Sequence, residues 1–138
     1  METVFSGGCK EKNAVCSAKL IVDNGYLLSV GTCVDPNVII PKSVNTIGQK
    51  AFFRCLFLSS IVISCNIKKV SFGAFDECYN LFSVFYEGSK SDWKKLDIEY
   101  LNTPLMSAKR YYYSEKKPKI DGDFWHYVDG KPTIWQTV

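Results

Sequence analysis

A repeat with a period of 23 residues is the feature that most restricts how this chain can fold. Residues 38–61 and residues 61–84 coincide at eight apolar positions when one segment is shifted onto the other by that period. The coinciding pairs are Ile40 and Ile63, Val44 and Ile67, Ile47 and Val70, Ala51 and Ala74, Phe52 and Phe75, Cys55 and Cys78, Leu58 and Leu81, and Ile61 and Val84. A unit this short cannot bury its own apolar side, so the copies must stack to build one core.

Each copy predicts one coil, made of a short strand, a turn, a helical bend that carries the Ala-Phe pair, and a return segment. The strands begin near residues 38, 61 and 84, and stacking places them in one parallel sheet. The β-prone run Tyr111–Tyr113 starts somewhat more than one period after Val84. We expect it to form a fourth strand that closes an enlarged last coil. Upstream, Asn24-Gly25 lies between two apolar runs, which predicts a tight β-hairpin.

Composition and charge exclude several classes of protein. The chain has 138 residues, 46% of them apolar and 22% charged, which fits one globular domain. A net charge of +3 is too small to indicate nucleic acid or an anionic membrane as the partner. No apolar run reaches the roughly 18 residues of a membrane helix. We therefore expect no nucleic-acid partner and no membrane insertion, while the oligomeric state stays open.

The six cysteines favour neither of the usual cysteine frameworks. The last of them is Cys78, no two are spaced as C-x-x-C, and the single histidine is far from them, which argues against a zinc site. Cys55 and Cys78 occupy equivalent coil positions. Their side chains point the same way, which strains a bridge between them, so we expect both to be buried, reduced thiols. Cys65 is expected to be more exposed and more reactive than Cys55.

No catalytic, cofactor or metal site is predicted. Phosphate-binding loops and the G-x-S-x-G elbow do not occur in the sequence. A thiol enzyme would have to use His126, the only imidazole. This residue lies between Trp125 and Tyr127 in a predicted terminal hairpin, which favours a structural or surface role.

The repeat unit resembles the BspA-type leucine-rich repeat family. The first copy carries the resemblance at Ile40, Pro41, Val44, Ile47, Gly48, Ala51, Phe52, Cys55 and Leu58. The second copy keeps the apolar positions and departs with Ser64 in place of proline and Ser71 in place of glycine. These departures change turns and leave the core positions alone.

The resemblance extends over residues 20–135 and implies an α/β fold. That fold is a short right-handed leucine-rich repeat solenoid with a parallel sheet, an N-terminal β-hairpin and a C-terminal aromatic cap or hairpin. The expected organisation is one continuous domain with a poorly matched segment (1–19), the hairpin (20–36), the repeats (37–86) and the capping coil and hairpin (87–138).

The function that the resemblance implies is a non-enzymatic binding module. It would recognise or adhere to a protein or a glycan at a cell surface or after secretion, and no cofactor comes with it. Met1–Gly8 does not read as a secretory signal, since it contains Glu2 and lacks an apolar core. The alternative is a structural cap of a longer repeat protein, and a thiol enzyme that uses His126 is the third hypothesis.

Alternation along the strands selects the candidate ligand-binding residues. If Ile61 and Ile63 point inward, Val62 points outward, and the same logic exposes Ile39 and Phe85. These residues would form an exposed ladder on the sheet, which Tyr112 would extend. The alternative is that the terminal segment folds back over this face.

The C-terminal third offers two further candidate surfaces. It holds all three tryptophans, which suit either a sugar platform or an aromatic cap over the last coil. We favour the cap, with Trp93 and Trp125 inside and Trp135 closing the hairpin. A basic cluster consists of Lys109, Arg110, Lys116, Lys117 and Lys119. We interpret it as a solvated loop beside an edge strand and not as a site for single-stranded nucleic acid.

Overall fold

The computed structural model describes residues 2–5, 19–30 and 35–136. The strands are β1 (Glu2–Phe5), β2 (Lys19–Asp23), β3 (Tyr26–Val30), β4 (Asn37–Ile39), β5 (Thr46–Ile47), β6 (Ser60–Ile63), β7 (Lys69–Val70), β8 (Ser83–Tyr86), β9 (Asp97–Ile98), β10 (Lys109–Tyr113), β11 (Phe124–Val128) and β12 (Lys131–Ile134). The helices are α1 (Lys90–Lys94) and α2 (Thr103–Ser107). Cys9, Cys16 and Cys33 lie outside the described residues.

The strands form two sheets of six strands each in the described part of the chain. The first sheet has the order β1-β2-β3-β5-β7-β9, and the second has the order β12-β11-β10-β8-β6-β4. The repeats therefore visit the two sheets alternately, and each circuit is one coil. Strands β2 and β3 pair antiparallel around Asn24-Gly25, whereas β3, β5, β7 and β9 pair in parallel.

The period of the sequence reappears in the pairing register. In the second sheet Val62 lies opposite Ile39 on one side and Phe85 on the other, in parallel pairings that each advance by one period. The next step is longer than one period, because it is Tyr111 that lies opposite Phe85. The fourth strand thus exists where the sequence predicts it, at a register that the period does not specify.

The core between the sheets is built from the repeat positions. The sixteen residues that coincide in the two copies are each at most 5% exposed. Phe52 stacks on Phe75 with ring centroids 4.9 Å apart and an angle of 7° between the rings. Backbone bonds join the same two bends, from Phe52 N to Ala74 O at 2.7 Å and from Arg54 N to Asp76 O at 3.0 Å. Each coil is therefore held to the next by apolar contact and by main-chain pairing.

The last coil is closed by a buried asparagine. Asn102 is 3% exposed and precedes α2. Its Oδ1 accepts the Phe75 amide at 3.0 Å, and its Nδ2 donates to the carbonyls of Ser71 and Glu99 at 3.0 and 2.9 Å. These main-chain groups belong to the preceding bend and to the last coil itself. Asn102 thus replaces the backbone partners that a further coil would supply.

Cys55 takes part in a disulfide bond, so the prediction of a reduced thiol is wrong for this residue. Neither Cys65 nor Cys78 is its partner, because both are free thiols. The argument against a disulfide applied only to a bridge between Cys55 and Cys78, whose side chains point the same way. It does not apply to a bridge from Cys55 in another direction. Cys78 is buried and reduced, and Cys65 is exposed, both as predicted.

Replacing Asn102 with alanine should destabilise the fold by about 3 kcal/mol, because one buried amide and two carbonyls lose their partner. Urea denaturation measures the change in the free energy of unfolding. The matched control is Asn66→Ala, which removes an exposed bond to the Lys42 carbonyl and should change stability by less than about 0.5 kcal/mol. Equal losses in the two variants would contradict a special role for Asn102.

The two free thiols should differ in reactivity with iodoacetamide. Burial raises the pKa of the Cys78 thiol to about 11, and its Sγ lies 2.9 Å from the Phe52 carbonyl oxygen. The thiolate is the nucleophile, so Cys78 should resist alkylation while exposed Cys65 reacts. Peptide mapping by mass spectrometry of the native protein measures both sites, and the denatured protein, in which both should react, is the control. Alkylation of Cys78 as fast as Cys65 in the native state would overturn the prediction.

Candidate binding cleft

The second sheet has apolar side chains on both faces. Ile61, Ile63 and Val84 point into the core, and Val62 and Phe85 point to the outer face, as alternation predicts. The outer residues join Tyr111 and Trp125 in a separate buried cluster, with Ile39 and Tyr127 packed against it. Two hydrophobic layers therefore share one sheet.

The expected exposure of the ladder is wrong for two of its members. Val62 is 1% exposed and Phe85 is 8% exposed, while Ile39 is half-buried. The reason is that β11 continues beside β10 and places Trp125 on the outer face. The Trp125 ring centroid lies 5.5 Å from that of Phe85. At this end of the outer face the alternative prediction is therefore correct, because the terminal segment covers the ladder.

Tyr112 does not extend the ladder. It pairs with Tyr86, which points into the core, and Tyr112 itself packs against that core. Tyr111 takes the outer position instead, with its ring stacked 5.3 Å from that of Phe85. The cause is the register of β10, which is displaced by one position from the expected one and so inverts the expected alternation of this strand.

Trp125 and Trp93 are buried, as predicted. Trp125 Nε1 donates to the Tyr86 carbonyl at 2.8 Å, which fixes β11 against the sheet. Trp135 is half-buried and closes the terminal hairpin, because its ring stacks on His126 at 3.7 Å and its Nε1 donates to the Ser114 carbonyl at 2.7 Å. His126 thus packs against an indole ring in the hairpin.

A cleft of about 640 Å³ remains over the outer face beyond Trp125. The turn between β11 and β12, together with the first two residues of β12, overhangs it, and we call this segment the overhanging turn. The cleft lining consists of Asp35, Asn37, Val38, Ile39, Ser59, Ser60, Val62, Ser83, Phe85, Gly130, Lys131 and Pro132. Three of the four predicted site residues, Ile39, Val62 and Phe85, therefore lie together in one cleft, and Tyr112 is not among its lining residues.

The cleft has an apolar row and a polar row. Two positions before the ladder on each strand, Asn37, Ser60 and Ser83 lie in register with one another. Ser60 Oγ lies 2.6 Å from Asn37 Oδ1, and Asp35 Oδ1 accepts the Asn37 amide at 2.9 Å. This lining offers hydroxyl, amide and carboxylate groups beside an apolar floor, and the overhanging turn adds Lys131. It suits a ligand that has both apolar and hydrogen-bonding edges.

The overhanging residues Gly130, Lys131 and Pro132 were not among the predicted site residues. Asp129-Gly130 is a turn signal, and both residues have positive φ, at +51° and +76°. The sequence therefore indicates the turn. Its place above the sheet depends on Trp125 and on the pairing of β11 with β10, which no local pattern encodes.

A half-buried carboxyl group lies beside this hairpin. Burial raises the pKa of Glu87 above its ordinary range, while nearby Lys42 and a hydrogen bond from the Tyr127 hydroxyl act in the opposite direction. The pKa of Tyr127 is raised by its own burial and by the Glu87 charge. This pair attaches the hairpin to the residue that follows β8.

Two members of the basic cluster, Lys109 and Arg110, make contacts within the fold. Lys109 pairs with Asp123 at 3.4 Å. Arg110 lies over the Trp93 ring at 4.3 Å, and its Nε donates to the Tyr112 hydroxyl at 3.0 Å. Lys116, Lys117 and Lys119 are exposed, which agrees with a solvated loop. The expected edge strand beside this loop is wrong, because β10 is paired with β8 on one side and with β11 on the other.

Comparison with protein families gives one match. The family described as BspA type Leucine rich repeat region (6 copies) matches residues 32–97. No curated protein and no solved structure matches the chain. The matched region includes the floor of the cleft and ends before the overhanging turn. Among the described residues, no helix is long and apolar enough to span a membrane.

Replacing Glu87 with glutamine should raise the melting temperature near neutral pH. A carboxyl group whose pKa is raised in the folded state costs stability above that pKa, where its charge is buried, and costs nothing once both states are protonated. The gain should therefore disappear below about pH 4, near the pKa of an unfolded glutamate. Glutamine still accepts the Tyr127 bond, so a variant that melts below the wild type at neutral pH would contradict the prediction.

Proposed function

We propose that this chain, whose residues 32–97 match the BspA-type leucine-rich repeat family, recognises a protein or a glycan at a cell surface through its cleft. The family consists of repeat-based binding modules that are generally non-enzymatic and are often surface proteins. Adhesion to a surface ligand is the role we assign to this chain within that frame.

The observation that carries the proposal is that the apolar row and the polar row of the cleft lie side by side beneath the overhanging turn. Ile39, Val62 and Phe85 supply an apolar floor, and Ser60 and Ser83 supply hydroxyl groups beside it. A peptide segment or a sugar ring presents this combination of an apolar face and a polar edge. The opening of about 640 Å³ is large enough for a few residues of either.

The proposal includes a short right-handed solenoid in one continuous domain. The proposed division of the chain is an entry hairpin (20–36), the repeats (37–86) and an aromatic cap (87–138). In this arrangement the cap also supplies one wall of the cleft, since Lys131 and Pro132 belong to the capping segment.

A structural cap of a longer repeat protein is the second candidate function. The aromatic cluster around Trp125 favours it, because Tyr113, Tyr127 and Phe85 lie 5.3, 4.8 and 5.5 Å from its ring. Such a cluster covers apolar surface that the end of a repeat array would otherwise expose. The two functions differ in whether the isolated domain binds anything.

Substitutions in the cleft should weaken binding to immobilised matrix proteins or to a glycan array. We expect Ile39→Asp and Lys131→Glu each to raise the Kd about tenfold, because one places a charge on the apolar floor and the other reverses the charge of the overhanging turn. Surface plasmon resonance measures the Kd of whichever immobilised probe the wild type captures.

Each variant has a matched control away from the cleft. Ile120→Asp and Lys116→Glu make the same changes at exposed positions of the capping segment and should leave binding unchanged. Circular dichroism melting checks that all four proteins fold. Equal losses in the cleft and control variants would refute the cleft as the site, and a wild type that binds none of the probes would favour the capping role.

A further inference from the structure

The helical bends of the two repeats carry a second apolar surface, whose residues are not part of the cleft lining. Its members are large side chains that project from the bends and from the segment after them: Phe53, Leu56, Phe57, Tyr79 and Phe82. Phe57, Tyr79 and Phe82 are 63%, 68% and 65% exposed. We call these five residues the bend patch.

The bend patch is continuous across the two coils. Tyr79 follows Leu56 by one period, and the Asn80 Nδ2 donates to the Leu56 carbonyl at 2.7 Å, so these segments lie side by side. The Phe82 amide donates to the Ser59 carbonyl at 2.9 Å, which joins the next part of the two coils. With about 200 Å² for each side chain, the patch exposes on the order of 500 Å² of apolar surface. That is near the upper end for a monomer, where such patches are often functional.

The repeat itself does not require these side chains. The core takes Phe52, Cys55 and Leu58 from the first bend, and the patch residues occupy the positions between them. The second copy has Asp76 at the position of Phe53 and Asn80 at that of Phe57. The stacking of the coils therefore does not explain why these positions carry apolar side chains.

Charges beside the patch are separated by coil. Lys50 and Arg54 lie on the first bend, and Asp76 and Glu77 lie on the second. The Arg54 amide donates to the Asp76 carbonyl, so the basic and acidic groups are on adjacent coils. The surface is thus polarised along the stacking direction, and its charges complement the same surface turned end for end.

We infer that the bend patch is a two-fold interface with a second copy of this chain. The two-fold axis lies in the plane of the interface, between the two coils and perpendicular to the stacking direction. It reverses the direction of the stack, so the first coil of one copy lies against the second coil of the other. Arg54 of each copy then faces Glu77 of the other, in the reciprocal arrangement that a two-fold requires. A parallel arrangement would oppose like charges.

The shape of the surface fits the same arrangement. A groove of about 460 Å³ lies between the second bend and α2, lined in part by Tyr79, Phe82 and Pro104. Phe57 projects from the first bend and is not part of that groove. Reversal of the stack brings the Phe57 ring of each copy to the groove of the other, so the contact pairs a projecting ring with an apolar groove on both sides of the axis.

Sedimentation velocity of the full chain over a range of concentrations measures the association. The patch is smaller than the roughly 800 Å² per partner of a standard complex, so we expect a dimer with a Kd between about 1 and about 100 µM. The Phe57→Ser, Tyr79→Ser double variant should raise that Kd at least tenfold. Tyr100→Ser, at an 85% exposed tyrosine outside the patch, is the control and should leave it unchanged.

Charge reversal tests the orientation of the two copies. Arg54→Glu makes both charges acidic and Glu77→Arg makes both basic, so each variant alone should associate several-fold more weakly at low salt. An equimolar mixture of the two variants restores opposite-charge pairs across a two-fold and should associate more tightly than either variant alone. Arg54 and Glu77 have nearly equal φ values, +56° and +60°, so each position accommodates the other's side chain.

The possible outcomes separate clearly. Weakening by each charge variant alone and recovery in the mixture, together with loss in the Phe57→Ser, Tyr79→Ser variant, support the reversed two-fold interface. Charge variants that associate as tightly as the wild type overturn the reversed arrangement. A chain that stays monomeric up to about 300 µM, well above the expected Kd, overturns it, as does equal weakening by Tyr100→Ser. A mixture that associates no better than either charge variant alone overturns the reversed arrangement. Ligand binding at the cleft is a separate measurement and does not decide any of these results.

Discussion

The stacking of one coil on the next is the interaction on which the rest of this structure depends. The ring of Phe52 lies flat on that of Phe75, and the bends that carry them are joined by main-chain bonds from Phe52 to Ala74 and from Arg54 to Asp76. These contacts lock the register between the coils at one period. A slip by a single position would turn every inward side chain of a strand outward, so the register decides at once which residues are core and which are surface.

The same constraint explains which parts of the fold are predictable from the sequence. The repeat positions predict the core correctly, because each is buried by its equivalent in the next coil. The prediction fails at Tyr112, where the chain leaves the period on its way to β10. It also fails for the exposure of Val62 and Phe85, since the residue that covers this end of the sheet is Trp125. That ring is held by the Tyr86 carbonyl, far back along the chain, and no local pattern signals so distant a partner.

The cleft combines a periodic part with a non-periodic part. Its floor repeats from strand to strand, as Ile39, Val62 and Phe85, and alternation alone finds those residues. Its overhanging wall, Gly130 to Pro132, occurs once and depends on how the terminal hairpin packs. In the proposed function, the repeated floor presents similar chemistry at each step, and discrimination between ligands comes from the wall. This division also explains why the sequence indicates the floor of the cleft and not its wall.

In a stacked coil only the inward positions form the core, so the outward positions are available for other roles. On the strands the outward positions form the floor of the cleft, and on the bends they carry Phe57, Tyr79 and Phe82. The two surfaces are parts of the same coils, but they depend on different residues of each period. Because the ladder residues of the cleft and the residues of the bend patch all occupy outward positions, substitutions at them leave the stacking contacts of the core in place. Taken together, the two proposals assign a ligand to the strands and a second copy to the bends of one short array.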